Sequence, residues 1–510
     1  MRTEYMISKF KAAKRAGVPI VGIETADPAA TIAQIKQLVG EKSPVIQWDI
    51  IRGVSPMNEA GLGVVQSICG GDDPALATSN PSEMLAKIVN VPDQTIIFMH
   101  QANRLLESSD PGLGIPVSQG IWNLRDVFKT KGAVLVLLGS SLMLPGVLKN
   151  DVMVISEELP SIDELKTIVS DTAKAANAEI PDAEITTHAK SLLGLSAFSA
   201  EQSFATSLYP DNGSIKVDVK GLWERKCKTA EQTRGLSIYR GKEAYDDVIG
   251  YDNAKGFLQR IMNGPDPVEV YIFIDEIEKQ MAGFGTDSSG VSGEMMGKML
   301  TWMQMKEAMG VLLLGPGGTG KSLVGLATGN QAKKPTVIFD LSAMKGSLVG
   351  QSIENLDAAQ KMVDGIAGGG RVMIIGTCNR FGSLPPELKR RFSLGTFFFD
   401  LPTAAERVGI WGYYTKKFNL KKEQLMNIDD DGYTGAEIKN CCNIAWRLNC
   451  SLAEAANYIV PVAKSAGEEI EKLRMSAEGK FISASTTGFY KRAKSYGVPE
   501  AGRKLNVKED

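Results

Sequence analysis

Residues 315–322 read Gly-Pro-Gly-Gly-Thr-Gly-Lys-Ser, the G-x-x-x-x-G-K-[ST] spacing that wraps a phosphate chain. Gly315, Gly317, Gly318 and Gly320, with Pro316 and Thr319 between them, let backbone N–H groups converge on phosphate oxygens without Cβ clashes. Lys321 has the reach and charge for the β- and γ-phosphates, and Ser322 the hydroxyl for Mg²⁺. The expected ligands are therefore ATP and Mg²⁺. The apolar run Gly310-Val-Leu-Leu-Leu enters the loop as a strand. Leu-Val-Gly-Leu-Ala leaves it as a helix, whose N-terminus adds partial positive charge. A chance glycine turn would not bring lysine, serine and this strand–loop–helix setting together.

Three further groups supply the chemistry such a loop needs. Val270-Tyr-Ile-Phe-Ile-Asp275-Glu276 is an apolar strand ending in two acids. Beside a phosphate loop, Asp275 would hold Mg²⁺, directly or through water, and Glu276 would polarise the attacking water. On its own the run would equally read as a strand followed by a solvated acidic turn. Arg371-Val-Met-Ile-Ile-Gly-Thr-Cys-Asn379 is a second strand ending in an amide, placed to orient the lytic water or touch the γ-phosphate. Leu384-Pro-Pro-Glu-Leu-Lys-Arg390-Arg391-Phe offers two arginines. One reaching a neighbour's γ-phosphate would be worth roughly 10³–10⁵ in rate; the spacing does not say which.

These residues need a sheet to hold them, and the chain has the length for one. Its 510 residues suit roughly three domains. Before residue 155, short apolar runs at 18–23, 44–48, 95–99 and 133–138 alternate with helical patterns, which predicts a parallel α/β sheet. Residues 160–210 read as mostly helical, and Asp211-Asn-Gly-Ser as a turn. The expected organisation is an N-terminal α/β domain with a helical part (1–210), a charged helical linker (211–242), a nucleotide-binding domain (243–402), and a helical lid with its tail (403–510). A net charge of −2 provides no overall field for nucleic acid or anionic lipid. No apolar run reaches 18 residues, and residues 1–10 open no signal-like stretch, so an intracellular location without membrane contact is expected. Six cysteines without a Cys-x-x-Cys pair, beside only two histidines, offer no zinc site.

Taken together these motifs resemble an AAA+ ATPase. They are most similar to the plastid- and cyanobacterium-type AAA ATPases known as hypothetical-chloroplast-frame proteins. The resemblance rests also on Asp247-Val-Ile-Gly, Gly346-Ser-Leu-Val-Gly, Thr377-Cys-Asn, Gly432-Tyr-Thr-Gly-Ala-Glu and Val460-Pro-Val-Ala-Lys. It covers 243–490 well and 1–240 more weakly, where that family carries a degenerate AAA-like domain. It implies an AAA+ P-loop core with a five-stranded parallel sheet and a helical lid. Val248, Ile249 and Gly250 would line the adenine pocket, Gly435 and Ala436 would close over the nucleotide, and Leu348 and Val349 would face a central pore. Sites shared between protomers of a ring, expected to be hexameric, are implied as well, with a cytoplasmic location, or the plastid stroma for a plastid-encoded chain. The first domain lacks a P-loop and has His100-Gln101 where the acids would stand, so it is expected to be non-catalytic.

One feature departs from the family order of P-loop, acidic pair, sensor and arginine. Here Asp275-Glu276 precedes Gly315. The segment from about 265 to 309 stands before the P-loop, and turn-type sequence marks both seams, Asn263-Gly-Pro-Asp-Pro and Gly368-Gly-Gly. The expectation is an unchanged sheet with rewired connections, since right-handed crossovers can skip strands. The alternative is an acidic strand that pairs elsewhere and a dead ATPase. The loop 282–293 would be a second pore-facing loop or a solvated linker. Three functions remain open at this point: a ring motor remodelling a protein partner bound through 1–240, a nucleotide-gated scaffold with slow turnover, and a DNA-associated AAA+ loader.

Overall fold

The computed structural model describes residues 2–106, 110–211, 214–281, 291–345, 351–420 and 428–492. The chain divides into two compact units, Met1–Thr229 and Ala230–Asp510.

The first unit holds a six-stranded sheet built from β1 (Ile20–Glu24), β2 (Val45–Asp49), β3 (Gly53–Pro56), β4 (Ile96–Met99), β5 (Val134–Gly139) and β6 (Met153–Ser156). Their spatial order is β3-β2-β4-β5-β1-β6, parallel except for the β2–β3 hairpin. The apolar runs are unbroken because the sheet is covered on both sides. Ile97, Met99, Leu135 and Leu137 enter one core, and the alternate residues Ile96, Phe98, Val134 and Val136 enter the other. The sequence reading found four of these strands. It passed over β3 and β6 because each is short, and the half-exposed Ser55 and exposed Val154 interrupt their apolar pattern.

Helices Ile162–Ala175, Asp182–Leu192 and Ala197–Ala205 follow, and with them a hairpin of β7 (Leu208–Asp211) and β8 (Ser214–Val217). Here the structure corrects the expected helical linker. Ser-Ile-Lys-Val alternates with period two and pairs as a strand, and only Val219–Glu231 is helical.

Among its described residues the second unit carries seven strands: β9 (Leu236–Ile238), β10 (Val268–Ile274), β11 (Met309–Leu314), β12 (Thr336–Phe339), β13 (Arg371–Cys378), β14 (Gly395–Phe398) and β15 (Ile482–Ser483). Their order is β15-β14-β11-β13-β10-β12-β9. This too corrects an expectation, since five strands were anticipated. The five are present and parallel, but β9 adds an antiparallel pair to β12, and the two-residue β15 lies parallel to β14. Both additions pair edges that would otherwise expose unpaired backbone groups. β15 also brings the chain back to this sheet after helices Ala404–Lys417, Gly435–Leu448 and Gly467–Ala477, so the region expected to be lid alone contributes a strand.

The parallel strands of the two sheets share one spatial pattern. β2-β4-β5-β1-β6 of the first unit corresponds to β12-β10-β13-β11-β14 of the second. The chain visits them differently: β1 comes first in its sheet, whereas β10 precedes β11. Three connections meet at the amino ends of β10, β13 and β11, where Arg371 donates to Asp266 Oδ2 at 2.6 Å and Glu307 Oε2 at 2.8 Å. All three side chains are substantially exposed, so the pairings contribute little beside the strands' own burial.

That contrast is testable by urea denaturation of the full chain. Ile374→Ala in the buried centre of β13 should cost about 2–5 kcal/mol and lower the midpoint of the second unit's transition. Arg371→Ala should leave it nearly unmoved. The reverse ranking would mean that ion pairs, not sheet burial, hold the connections.

Candidate functional site

In open α/β sheets ligands bind beyond the carboxyl ends of the strands. Those ends of β11, β13 and β10 lie side by side in the second unit. Loop 315–320 leaves β11 and enters helix Lys321–Ala332. Gly315 passes so close to the Phe399 carbonyl that a Cβ would collide with it. Gly318 adopts φ +79°, and a Cβ there would meet Thr434 Oγ1. Lys321 is buried, with Nζ donating to the carbonyls of Gly315 at 2.8 Å and Pro316 at 2.6 Å. Burial pushes its pKa down to about 8, partly countered by nearby Glu278. A polyphosphate would offer this ammonium a better partner than two carbonyls.

The acidic corner assembles around one carboxylate. Asp275 Oδ1 accepts from Ser322 Oγ at 2.8 Å and from Thr377 Oγ1 at 2.6 Å. Thr377 Oγ1 in turn accepts the Glu276 N–H at 2.8 Å, fixing Glu276 in the left-handed region at φ 45°. Glu276 Oε1 accepts from Asn379 Nδ2 at 3.1 Å and Lys279 Nζ at 2.8 Å. Glu278 Oε1 accepts the Asn379 N–H at 2.9 Å, while its buried Oε2 has no partner among the described residues. Ser322 Oγ and Asp275 Oδ1 are hard oxygen donors, the set that Mg²⁺ takes.

A cleft of about 310 Å³ opens beside the loop. Val248, Ile249, Gly318, Thr319, Gly320, Lys321, Ser322, Gly435 and Ala436 line it. Gly250 does not; it turns at φ +81° against Glu406. Gly315, Pro316 and Gly317 form the stem of the loop outside the cleft lining. The Ala436 N–H donates to the Gly318 carbonyl at 3.2 Å, which seats helix Gly435–Leu448 on the phosphate loop. Arg390 is exposed, whereas Arg391 donates to Gln304 Oε1 at 2.8 Å. Leu348 and Val349 lie outside the described residues, as do 282–290 of the loop expected at 282–293, whose last three residues instead begin helix Val291–Met305.

Sequence reasoning missed Thr377 and Glu278 as individual residues. It also missed Tyr413, Tyr414, Lys417 and Lys439, which line the cleft. Thr377 and Glu278 carried a signal, since each stands two residues from a predicted site residue, Asn379 or Glu276. The other four are ordinary helix-surface residues until the lid is folded.

At the corresponding corner of the first unit the chemistry is reversed. Only Thr25, Ala26 and Asp27 separate β1 from helix Pro28–Val39, and Asp27 Oδ1 already accepts the Ala30 N–H at 3.1 Å. Glu24 accepts from the Leu142 N–H and Ser156 Oγ, and Glu157 from Thr31 Oγ1. Carboxylates thus stand where a phosphate would need cations and free N–H groups. His100 is half-buried with Nε2 3.1 Å from Gln47 Oε1, and burial lowers its pKa. Among the described residues, no group of three or more His, Cys, Asp or Glu side chains is arranged to hold a metal.

The second unit is an α/β domain that carries a strand–glycine loop–helix corner at the carboxyl ends of its parallel strands. Residues 6–156 match the family model described as the SpoVK-like AAA ATPase N-terminal domain. The chain is similar to the uncharacterized AAA domain-containing protein ycf46 of Pyropia yezoensis, at 22% identity over 92% of this chain and 97% of that one. It is likewise similar to ycf46 of Guillardia theta, at 22% identity over 94% and 96%. Among solved structures, the FIGL-1 AAA domain in complex with ADP matches at 18% identity and TM-score 0.30, over 49% of this chain and 97% of that one. No described helix is long and apolar enough to cross a membrane.

Thr377→Val removes one donor to Asp275 and the acceptor for the Glu276 N–H. The expected outcome, by titration with a fluorescent ATP analogue, is a roughly tenfold loss of the Mg²⁺-dependent part of affinity, with metal-free binding retained. Equal affinity with and without Mg²⁺ in the wild type would remove the metal role assigned to this corner.

Proposed function

We propose that the chain is a Mg²⁺-dependent AAA+ ATPase whose acidic strand enters the sheet ahead of the P-loop strand, a permuted core. The observation that carries this reading is the hydrogen-bonded group Ser322–Asp275–Thr377, with Glu276 and Asn379 beside it. Mg²⁺ held at Ser322 and Asp275 would neutralise charge on the β- and γ-phosphates. Lys321 binds the phosphates, Asn379 orients Glu276, and Glu276 takes the proton of the water that attacks phosphorus. The bond to the ADP oxygen breaks in line. Exposed Arg390 is the better candidate for a finger reaching into a neighbour's site, since Arg391 is engaged by Gln304. This favours a ring of like chains, with six as the family-like number. The output is remodelling of a protein partner recruited through residues 1–240. The net charge of −2 gives no electrostatic reason to prefer nucleic acid.

A second reading, a nucleotide-gated scaffold with slow turnover, draws on the Lys279 ammonium sitting 2.8 Å from the Glu276 carboxylate oxygen. A general base paired with a cation is a weaker proton acceptor.

Steady-state turnover separates the two. The motor reading expects turnover that Glu276→Gln abolishes while ATP binding persists. Arg390→Ala should lower the rate by roughly 10³ and Arg391→Ala far less. Negligible wild-type turnover that Lys279→Ala raises would favour the scaffold and overturn the motor.

A further inference from the structure

The helical part of the first unit holds a second cavity, unconnected with nucleotide chemistry. An open groove of about 850 Å³ runs between helices Ile162–Ala175 and Ala197–Ala205 and the β7–β8 hairpin. Helix Ile162–Ala175 explains why it exists. Leu165, Val169 and Ala173, spaced by four, fill the local core. Ile168, Thr172 and Ala175 form an adjoining stripe that lines the groove, with Ile168 also packed against that core. Ala176 and Ala205 keep the floor shallow, and Leu208 and Ile215 supply an apolar wall. Tyr209, 45% exposed, stands at the mouth.

The charge in this groove has one sign. Among the described residues its charged lining is Asp171 and Glu201, both exposed, with no lysine or arginine. Lys174 approaches Asp171 only at 4.0 Å, on an exposed face where such a pair holds little. Lys216, on the hairpin, is committed to Asp211. Small residues under an apolar wall, rimmed by two carboxylates, complement a chain that alternates apolar side chains with cations. Among the described residues the neighbouring β7–β8 sheet has no third strand, so its outer edges offer the feature an extended peptide uses to add a strand.

We propose that this groove is the docking site for an extended, basic and apolar segment of a partner protein. The inference rests on the reading above that residues 1–240 recruit a protein partner. It adds where the partner binds and what chemistry it presents.

The test uses the full chain without nucleotide, so it is independent of whether ATP is hydrolysed. The probe is a fluorescein-labelled octapeptide of alternating leucine and arginine, followed by anisotropy at fixed moderate salt. Octapeptides of alternating leucine–glutamate and serine–arginine are the controls. The leucine–arginine peptide should bind at least tenfold more tightly than either. Glu201→Lys, which reverses the rim charge, and Ala205→Trp, which fills the floor from an exposed position, should each weaken it at least tenfold. Far-UV circular dichroism should match the wild type. No binding to the wild type, equal binding of either control, or equal binding to both folded variants would overturn the proposal. So would concentration-dependent dimerisation lost in Ala205→Trp, which would make the occupant a second copy of the chain. ATPase turnover of the same two variants, measured without peptide, should equal the wild type's. A chain that hydrolyses ATP but ignores the peptide refutes the groove alone, and one that binds the peptide without turnover refutes only the motor.

Discussion

The candidate site of the second unit is organised around one carboxylate oxygen. Asp275 Oδ1 accepts from Ser322 and from Thr377, so it joins the end of β10 to the P-loop helix across the intervening β13. Neighbouring strands lie about 4.8 Å apart, so β10 and β11 are separated by roughly 10 Å. Backbone pairing alone therefore leaves a gap. Thr377 closes it from the middle strand, and the same hydroxyl fixes the Glu276 backbone. Lose the position of β10 between β12 and β13, and the Ser322–Asp275 contact, the placement of Glu276 and its contact with Asn379 all go with it.

Strand order in space, not along the chain, sets this corner. Five parallel strands of the first unit repeat the spatial pattern of the second, although the second enters β10 before β11. The matching corners nonetheless hold opposite chemistry. One has a glycine loop and a buried lysine; the other has Glu24, Asp27 and Glu157 engaged by their own neighbours. The left-handed residue after the β10 strand, Glu276, has a counterpart in Gln101 after β4, at φ 51°. The left-handed φ at that position is common to both units, while its side chain is an amide in one and a carboxylate in the other.

Much of this was legible in the sequence, and the reasons are local. Residues 315–322 declare themselves because Gly315, Gly318, Gly320 and the lysine each answer a specific steric or charge demand. β10, β11 and β13 declare themselves because strands covered on both faces are apolar throughout. The edge strands did not: Leu236-Ser-Ile and Ile482-Ser are too short for any periodicity, and their pairing is set by which edge is open. Thr377, Glu278 and the cleft residues Tyr413 and Lys439 were hidden for another reason. Their roles arise from contacts between segments distant in the chain, such as the Glu278–Asn379 bond spanning about a hundred residues. In the hairpin at 208–217 the turn signal Asp211-Asn-Gly-Ser is visible in the sequence, but residues 208–210 fall in the expected helical part and 215–217 in the expected linker, because charge outweighs a weak alternation of period two.

The most direct test of the account is a structure of the full chain with Mg²⁺ and a non-hydrolysable ATP analogue. The account predicts the metal bound by Ser322 Oγ, with Asp275 either in its coordination sphere at about 2.1 Å or one water away at about 4 Å, and Glu276 facing the γ-phosphate. A nucleotide seated in the loop with Asp275 remote from the metal would contradict it.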